Sequence, residues 1–420
     1  MSSRTASLRS LSRATATTTA TSPGIRLFSA TARRAAPSAH RALVFREHGA
    51  LNDALSAHTF RALSPPGPGR VNVRVRLAPV NPSDVNVVEG VYPNKPSPET
   101  LLPPDSGGTQ DFSVAGGEPV QSVDGGEGTG EVYVPGNEGV AEVTAVGEGV
   151  SGLEVGDWVV FAKTQPGTWA SARQVGARDV IRVDKDAGEV TAAMLSVNPP
   201  TALCLLREFV PLKEGDWIVQ NGANSAVGQL VIQIAAQRGI RTLNFVRSRE
   251  EQANNALVKH LGALGATHTF TYDALADRTL TAHIKQLTHT APPRLLLNCV
   301  SGPQTTGLLR LLGQDAQLVS YGAMSKQPLA LPAGAQIFRG LVARGFWMSA
   351  WYAAHARKER EALLEEVVRL KLEEPRHTVF TVQAGWSDEE AGRRVREALG
   401  VQGRSPGGEK VLLRVEDPVV

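Results

Sequence analysis

The sequence predicts an α/β protein in which a β-rich, partly closed barrel precedes a doubly wound parallel sheet. Three observations carry this. The 420 residues exceed what one hydrophobic core usually fills, so two domains are expected. From Arg41 to Asn198, short strands of alternating polarity are punctuated by glycine, the texture of a β-barrel. After Asn198-Pro199, short and almost continuously apolar strands alternate with helical periodicity, which requires a parallel sheet covered on both faces.

Taken in order, Ala42-Leu43-Val44-Phe45 and the strictly alternating Val71–Leu77 are strands. Asn81-Pro82-Ser83-Asp84 ends the second and opens a short helix, with Pro where no N–H is missed and Ser83 or Asp84 able to cap. Residues 94–134, rich in Pro, Gly and acids, read as a mobile surface loop or insertion. Strand patterning returns at Val140–Val146 and at Trp158–Phe161 after the Gly156-Asp157 turn. In the second region Trp217–Gln220 is a strand, and Val227–Arg238 carries helical spacing through Val227, Leu230, Val231, Ile234 and Ala235. Thr242–Val246, Leu295–Val300 and Gln317–Tyr321 are further strands. The tail holds a helix over 358–372, a second opening at the capping box Ser387-Asp388-Glu389-Glu390 with Gly400 beyond its end, and a strand over Lys410–Val415. The expected division is an import segment over 1–40 and a catalytic domain over 41–198, then a cofactor domain over 199–347 and a return to the catalytic domain over 348–420.

Apolar content of 42% and charged content of 20% fit a soluble globular chain, and no apolar run approaches the roughly 18 residues of a membrane span. Cys204 and Cys299 are too few and too far apart for a disulfide framework or a zinc cluster. The net charge of +3 hides an asymmetry: residues 1–46 contain eight arginines and no acid. Arginine interleaved with Ser, Thr and Ala is the composition of a mitochondrial transit peptide, and Arg26-Leu27-Phe28-Ser29 resembles a matrix-protease site. A basic arm for nucleic acid or lipid fits less well because lysine is absent there, and a plastid transit peptide is compositionally close; no nucleic-acid partner is expected, and the expected destination is the mitochondrial matrix.

Between the first strand and first helix of the parallel sheet lies Gln220-Asn221-Gly222-Ala223-Asn224-Ser225-Ala226-Val227-Gly228. Free N–H groups at such a helix start face the pyrophosphate of a dinucleotide, the Rossmann arrangement. The fingerprint is imperfect, with Ala226 at a position commonly glycine, and an ordinary α/β turn is the alternative. The second strand runs into Arg247-Ser248-Arg249 where an NAD-selective protein places an acid. Two guanidiniums and a hydroxyl suit a 2′-phosphate, so NADPH is the expected cofactor.

A β-rich region, a dinucleotide domain and a returning tail make the pattern of medium-chain dehydrogenases/reductases, whose catalytic domain is GroES-like. The zinc members carry a Gly-His-Glu ligand segment and a four-cysteine lobe. Here Gly136-Asn137-Glu138-Gly139 replaces that His by Asn, and no cysteine precedes residue 204, so no metal ligand set is expected. The chain resembles the mitochondrial trans-2-enoyl-thioester reductases of fatty-acid synthesis over about residues 41–415. The resemblance rests on Asn81–Asp84 with Gly90-Val91-Tyr92-Pro93, Gly136–Val140, Gly167-Thr168-Trp169 and Val197–Ala202, then on Asn221–Gly228, Leu297–Val300, Tyr321–Pro328 and Arg344–Ser349. Ala226 and Ala323 depart from expected glycines.

This resemblance implies that hydride from NADPH adds to Cβ of an enoyl thioester of coenzyme A or acyl carrier protein, and that a proton adds at Cα. Tyr92 matches the proton donor. The NADPH contacts it implies are Asn198, Asn224, Ser225, Ala226, Val227, Arg247, Ser248, Arg249, Tyr321, Gly322, Ala323, Met324, Phe346, Trp347, Met348 and Lys410. A homodimer is expected by the same analogy. The rival functions are a zinc-free quinone oxidoreductase, against which Tyr92 and Gly345-Phe346-Trp347 argue, and a non-catalytic NADPH-binding protein on the same fold.

Overall fold

A computed structural model describes residues 39–101, 112–113, 130–400 and 409–419. The expected import segment lies outside these residues, apart from Ala39 and His40. Both are buried in the first strand, Ala39–Val44, which pairs antiparallel with Ser56–Arg61. Arg41 therefore belongs to the fold although it continues the basic run. Its guanidinium is buried, bonds Asp388 at 3.0 Å and the Trp386 carbonyl at 2.6 Å, and so ties the start of the fold to the tail helix Asp388–Leu399.

The first region is built on a seven-stranded sheet in which Arg70–Pro79 is central. Val140–Val146 pairs antiparallel along it and continues to Trp158–Phe161 and Val180–Val183. On its other edge lie Ala172–Gly176 and the final strand Lys410–Val415, to which His377–Val382 adds in parallel. The chain's end thus completes a sheet begun more than 300 residues earlier, and Val73, Trp169, Val395 and Leu413 share one core. The alternation of Val71, Val73 and Val75 buries one face of the central strand.

Two sequence expectations need correction here. The helix Pro82–Val88 is capped by Asn81; Asp84 sits inside the first turn and accepts the Asn81 N–H at 2.8 Å, closing the box from within. The stretch read as a loop over 94–134 contains three short strands, Glu99–Leu101, Phe112–Ser113 and Gly130–Val132, paired antiparallel. Short pairing segments without apolar alternation gave no strand signal. The mobility expected of this stretch concerns residues 102–111 and 114–129, outside the described residues.

The second region is a six-stranded parallel sheet in the order His268–Thr271, Arg241–Val246, Trp217–Asn221, Leu295–Asn298, Gln317–Ser320, Val342–Gly345. The strand order reverses between Trp217–Asn221 and Leu295–Asn298, and ligands of such sheets bind at the carboxyl edge of this switch point. Both central strands are buried throughout, which is why they read as apolar runs. The outer strands His268–Thr271 and Val342–Gly345 lack that signature, and sequence patterning missed them. Helix Asn198–Leu205, wholly buried, packs against Ala226–Gln237 and carries the chain from one sheet to the other. Among the described residues no helix is long and apolar enough to cross a membrane.

Candidate active site

The turn after Trp217–Asn221 is shaped by two glycines. Gly222 has φ +57° with its α-carbon against Cys299; a Cβ there would lie 2.5 Å from that sulfur. At Gly228 a Cβ would meet the Ala223 backbone at 2.7 Å, so the helix approaches the strand as closely as a phosphate-binding turn needs. Ser225 caps the helix, its hydroxyl accepting the Gly228 N–H at 3.1 Å, and Tyr272 Oη accepts the Gly222 N–H at 2.9 Å. The leading N–H groups of Ala226–Gln237 have no partner within the helix. Asn224, Ala226 and Val227 are half-buried around this opening. Beside it Tyr321 Oη lies buried near Ser225 and Cys299 without a hydrogen bond of good geometry, and burial drives its pKa well above the usual phenol value. An orphaned hydroxyl, a cradle that a Cβ would fill and a helix start are what a dinucleotide's phosphates and ribose would complete, so the residues fit NADPH.

A buried lattice of amides fixes this edge. Asn221 donates to Asn298 at 2.7 Å and to Thr305 at 2.9 Å, and Asn298 in turn accepts the Val300 and Ser301 N–H groups. The segment Tyr321–Met324 follows Gln317–Ser320 and is pinned where the Met324 N–H donates to the Cys299 carbonyl at 2.9 Å. Gly322 is half-buried, while Ala323 and Met324 are exposed. Arg247, Ser248 and Arg249 stand exposed at the end of Arg241–Val246. Arg249 donates to the Arg247 carbonyl at 3.1 Å, which bends it back over the turn, and the Ser248 hydroxyl is taken by Asp273. Phe346 stacks edge-on with Phe209, and Met348 is turned into the core beside Leu363 and Val367.

Tyr92 follows helix Pro82–Val88, its N–H bonded to the Asn86 carbonyl at 3.2 Å. Trp347, at the end of the outermost strand of the other sheet, donates its indole N–H to Tyr92 Oη at 2.8 Å, the rings meeting edge to face at 6.0 Å. The two sheets therefore meet at the phenol. Burial raises the Tyr92 pKa; the Trp347 N–H opposes the rise and the Asp84 charge adds to it. Its proton stays in place at neutral pH, as a general acid requires.

Asn198 and Lys410 come together on residues to which the sequence assigned no role. Lys410 Nζ and Asn198 Nδ2 both donate to Asn81 Oδ1, the latter at 3.3 Å. Asn81 Nδ2 donates to Glu138 Oε1 at 2.8 Å. Asp84 accepts from the Asn137 backbone at 3.0 Å. Asp84 and Glu138 are fully buried. Burial pushes Asp84 up to about 6 and Glu138 up to about 8, against the pull of the Lys410 charge. The available signal was a carboxylate inside an apolar or glycine-framed segment, as in Asp84-Val85 and Gly136–Gly139. The Asn137 side chain accepts the Gln165 N–H at 2.9 Å.

Residues 67–189 match the alcohol dehydrogenase GroES-like domain, and residues 226–369 the family described as zinc-binding dehydrogenase. The enoyl-[acyl-carrier-protein] reductase, mitochondrial, of Xenopus tropicalis is 37% identical over 345 residues, covering 82% of this chain and 86% of that one. A solved complex of Etr1p with NADP and crotonyl-CoA superposes with a TM-score of 0.76 at 27% identity, over 90% of this chain and 99% of that one. The mitochondrial 2-enoyl thioester reductase Etr1p/Etr2p heterodimer from Candida tropicalis gives 0.75 at the same identity and coverage. The fold is that of the medium-chain dehydrogenases/reductases, a GroES-like domain with a Rossmann-type cofactor domain, and the chain belongs to the family of mitochondrial enoyl-[acyl-carrier-protein] reductases.

Proposed function

We infer that this protein is a mitochondrial, NADPH-dependent reductase of trans-2-enoyl thioesters, with coenzyme A or acyl carrier protein as the carrier. The observation that carries the inference is the phenol of Tyr92, held by Trp347 beside the carboxyl edge of a sheet shaped for a dinucleotide. The family relationship and the Etr1p complex with NADP and crotonyl-CoA support it.

NADPH, when bound, supplies the hydride for Cβ. The chain's own part is to hold the cofactor and deliver the proton. The helix start at Ala226 and the neighbouring Asn224–Val227 would take the pyrophosphate. Arg247 and Arg249, with Ser248 between them, would take the 2′-phosphate. Tyr321–Met324, Phe346 and Trp347 would line the sheet edge toward the nicotinamide, with Met348 behind them in the core. Asn198 and Lys410, locked together through Asn81, would complete the site from the other sheet. Tyr92 would protonate Cα, and the indole N–H would stabilise the phenolate left behind by a charge-assisted bond. Oxidation of NADPH should follow addition of crotonyl-CoA and longer enoyl thioesters; turnover of a quinone with none of crotonyl-CoA would replace this function by the rival reductase.

The same inference extends to a homodimer. The outermost strand Val342–Gly345 is exposed along its length, its Val342 at 43%, and the preceding helix Ala333–Arg339 leaves Ile337 and Phe338 at 71% and 77% exposure. A bare sheet edge flanked by large apolar side chains pairs readily with its own copy about a two-fold axis. Sedimentation should give twice the chain mass, and Phe338→Asp should halve it.

A further inference from the structure

A second side-chain bond joins the two sheets near the Tyr92–Trp347 contact. Lys326 Nζ lies 3.0 and 3.3 Å from the two carboxylate oxygens of Glu89. Both partners are set by backbone. Lys326 has φ +55°, a left-handed conformation that a residue with a Cβ adopts at a cost, and its N–H donates to the Ala323 carbonyl at 2.9 Å. The adjoining residues are pinned to the next loop: the Ser325 N–H donates to the Val300 carbonyl at 2.9 Å, and Ser301 Oγ donates to the Gln327 carbonyl at 2.9 Å. Lys326 thus extends from the segment that begins at Tyr321, on the cofactor side. Glu89 ends helix Pro82–Val88, its N–H on the Val85 carbonyl at 2.9 Å. The Val91 and Tyr92 N–H groups both donate to the Asn86 carbonyl, so Glu89 and Tyr92 share one short, internally bonded unit.

We propose that Glu89 and Lys326 are a positioning pair that sets Tyr92 against the carboxyl edge of the cofactor sheet. The pair rests on the proton-donor role given to Tyr92 above. Trp347 holds the phenol from the cofactor side, and the helix is anchored at its start by Asn81 and Asp84 and along its length by buried Val85, Val87 and Val88. The Glu89–Lys326 pair adds a tie from the cofactor side at the helix's other end, where the turn to Tyr92 begins. Misplacing a reacting group by a fraction of an ångström lowers turnover without weakening binding, so the pair acts on kcat. The Lys326 side chain is 73% exposed and the Glu89 side chain 22%, so Lys326→Glu is the change that leaves packing untouched, and the swap controls for the cost of Glu89→Lys.

The test is a charge swap. Lys326→Glu and Glu89→Lys are made singly and together, and the full-length proteins are assayed with crotonyl-CoA and NADPH at low ionic strength. Each single change should lower kcat by about 2- to 10-fold, the range that an exposed pair and its reversal span, with KM for both substrates within about 2-fold. The double variant should recover most of the loss, and added salt should shrink the difference between wild type and single variants. Hydrogen exchange is read on the same proteins: amides of residues 82–92 should exchange faster in each single variant and return toward wild type in the swap. Additive losses in the double variant, or unchanged exchange in the singles, would overturn the pair. So would a rise in the crotonyl-CoA KM confined to Lys326→Glu, which would make that lysine a substrate contact. If the wild type does not reduce crotonyl-CoA the proposed function fails, while the exchange measurement still decides whether the pair couples the two sheets.

Discussion

Replacing Tyr92 by Phe separates chemistry from structure at this site. The ring stays, and with it the edge-to-face contact to Trp347 at 6.0 Å and the packing beneath it. What disappears is one hydroxyl and the 2.8 Å bond it accepts. The Trp347 side chain that loses its acceptor belongs to a residue 38% exposed, so water can satisfy the indole N–H, and the stability change should stay within about 1 kcal/mol. The catalytic loss is of a different order. A positioned general acid contributes roughly 10²- to 10⁴-fold, about 2.7 to 5.4 kcal/mol of barrier. On one preparation, NADPH affinity is measured by cofactor fluorescence and kcat from NADPH absorbance with crotonyl-CoA. The expected result is an affinity within about 2-fold of wild type and a kcat reduced by at least 100-fold or so, limited at the floor by protonation from water. A kcat within about 3-fold of wild type would show that Tyr92 only shapes the pocket, and the proton-donor assignment would be withdrawn.

Further predictions concern the cofactor, the buried carboxylates and import. Changing Arg247 and Arg249 together to Ala should raise KM for NADPH far more than for NADH, since only the former carries the 2′-phosphate; equal effects would remove these arginines from cofactor selection. Burial raises the Glu138 pKa well above the usual carboxylate range, to about 8, against the pull of the Lys410 charge. Its contribution to stability is therefore complete at low pH and is lost as pH rises toward about 8, because the fold resists ionising it. Glu138→Gln removes that ionisation, so its thermal midpoint should gain on wild type between about pH 5 and pH 8; a constant difference across that range would refute the assignment. Protein isolated from its own mitochondria should begin near Ser29 or slightly later by mass spectrometry, and an intact Met1 end in the cytosol would contradict import.

The sequence by itself determined what depends on local pattern. Alternation marked Val71–Leu77, continuous apolarity marked Trp217–Gln220 and Leu295–Val300, and a glycine turn between strand and helix marked the dinucleotide edge, because each of these is written in neighbouring residues. Tyr92 was legible through family resemblance alone; nothing in its spacing distinguishes it from a packing tyrosine. Where the evidence was not local, patterning failed. The outermost strand Val342–Gly345 is exposed at all four positions, so it has no apolar run to betray it. Arg41 opens the catalytic domain but continues the basic run of residues 1–46, and only the distant Asp388 and Trp386 explain how its charge is buried. Asn81, Glu138, Asn198 and Lys410 lie as much as 329 positions apart in the chain, and the lattice they form exists only once the last strand returns to the first sheet. The tertiary structure decided these pairings because a buried polar group must find its partner in space, and sequence distance places no limit on where that partner comes from.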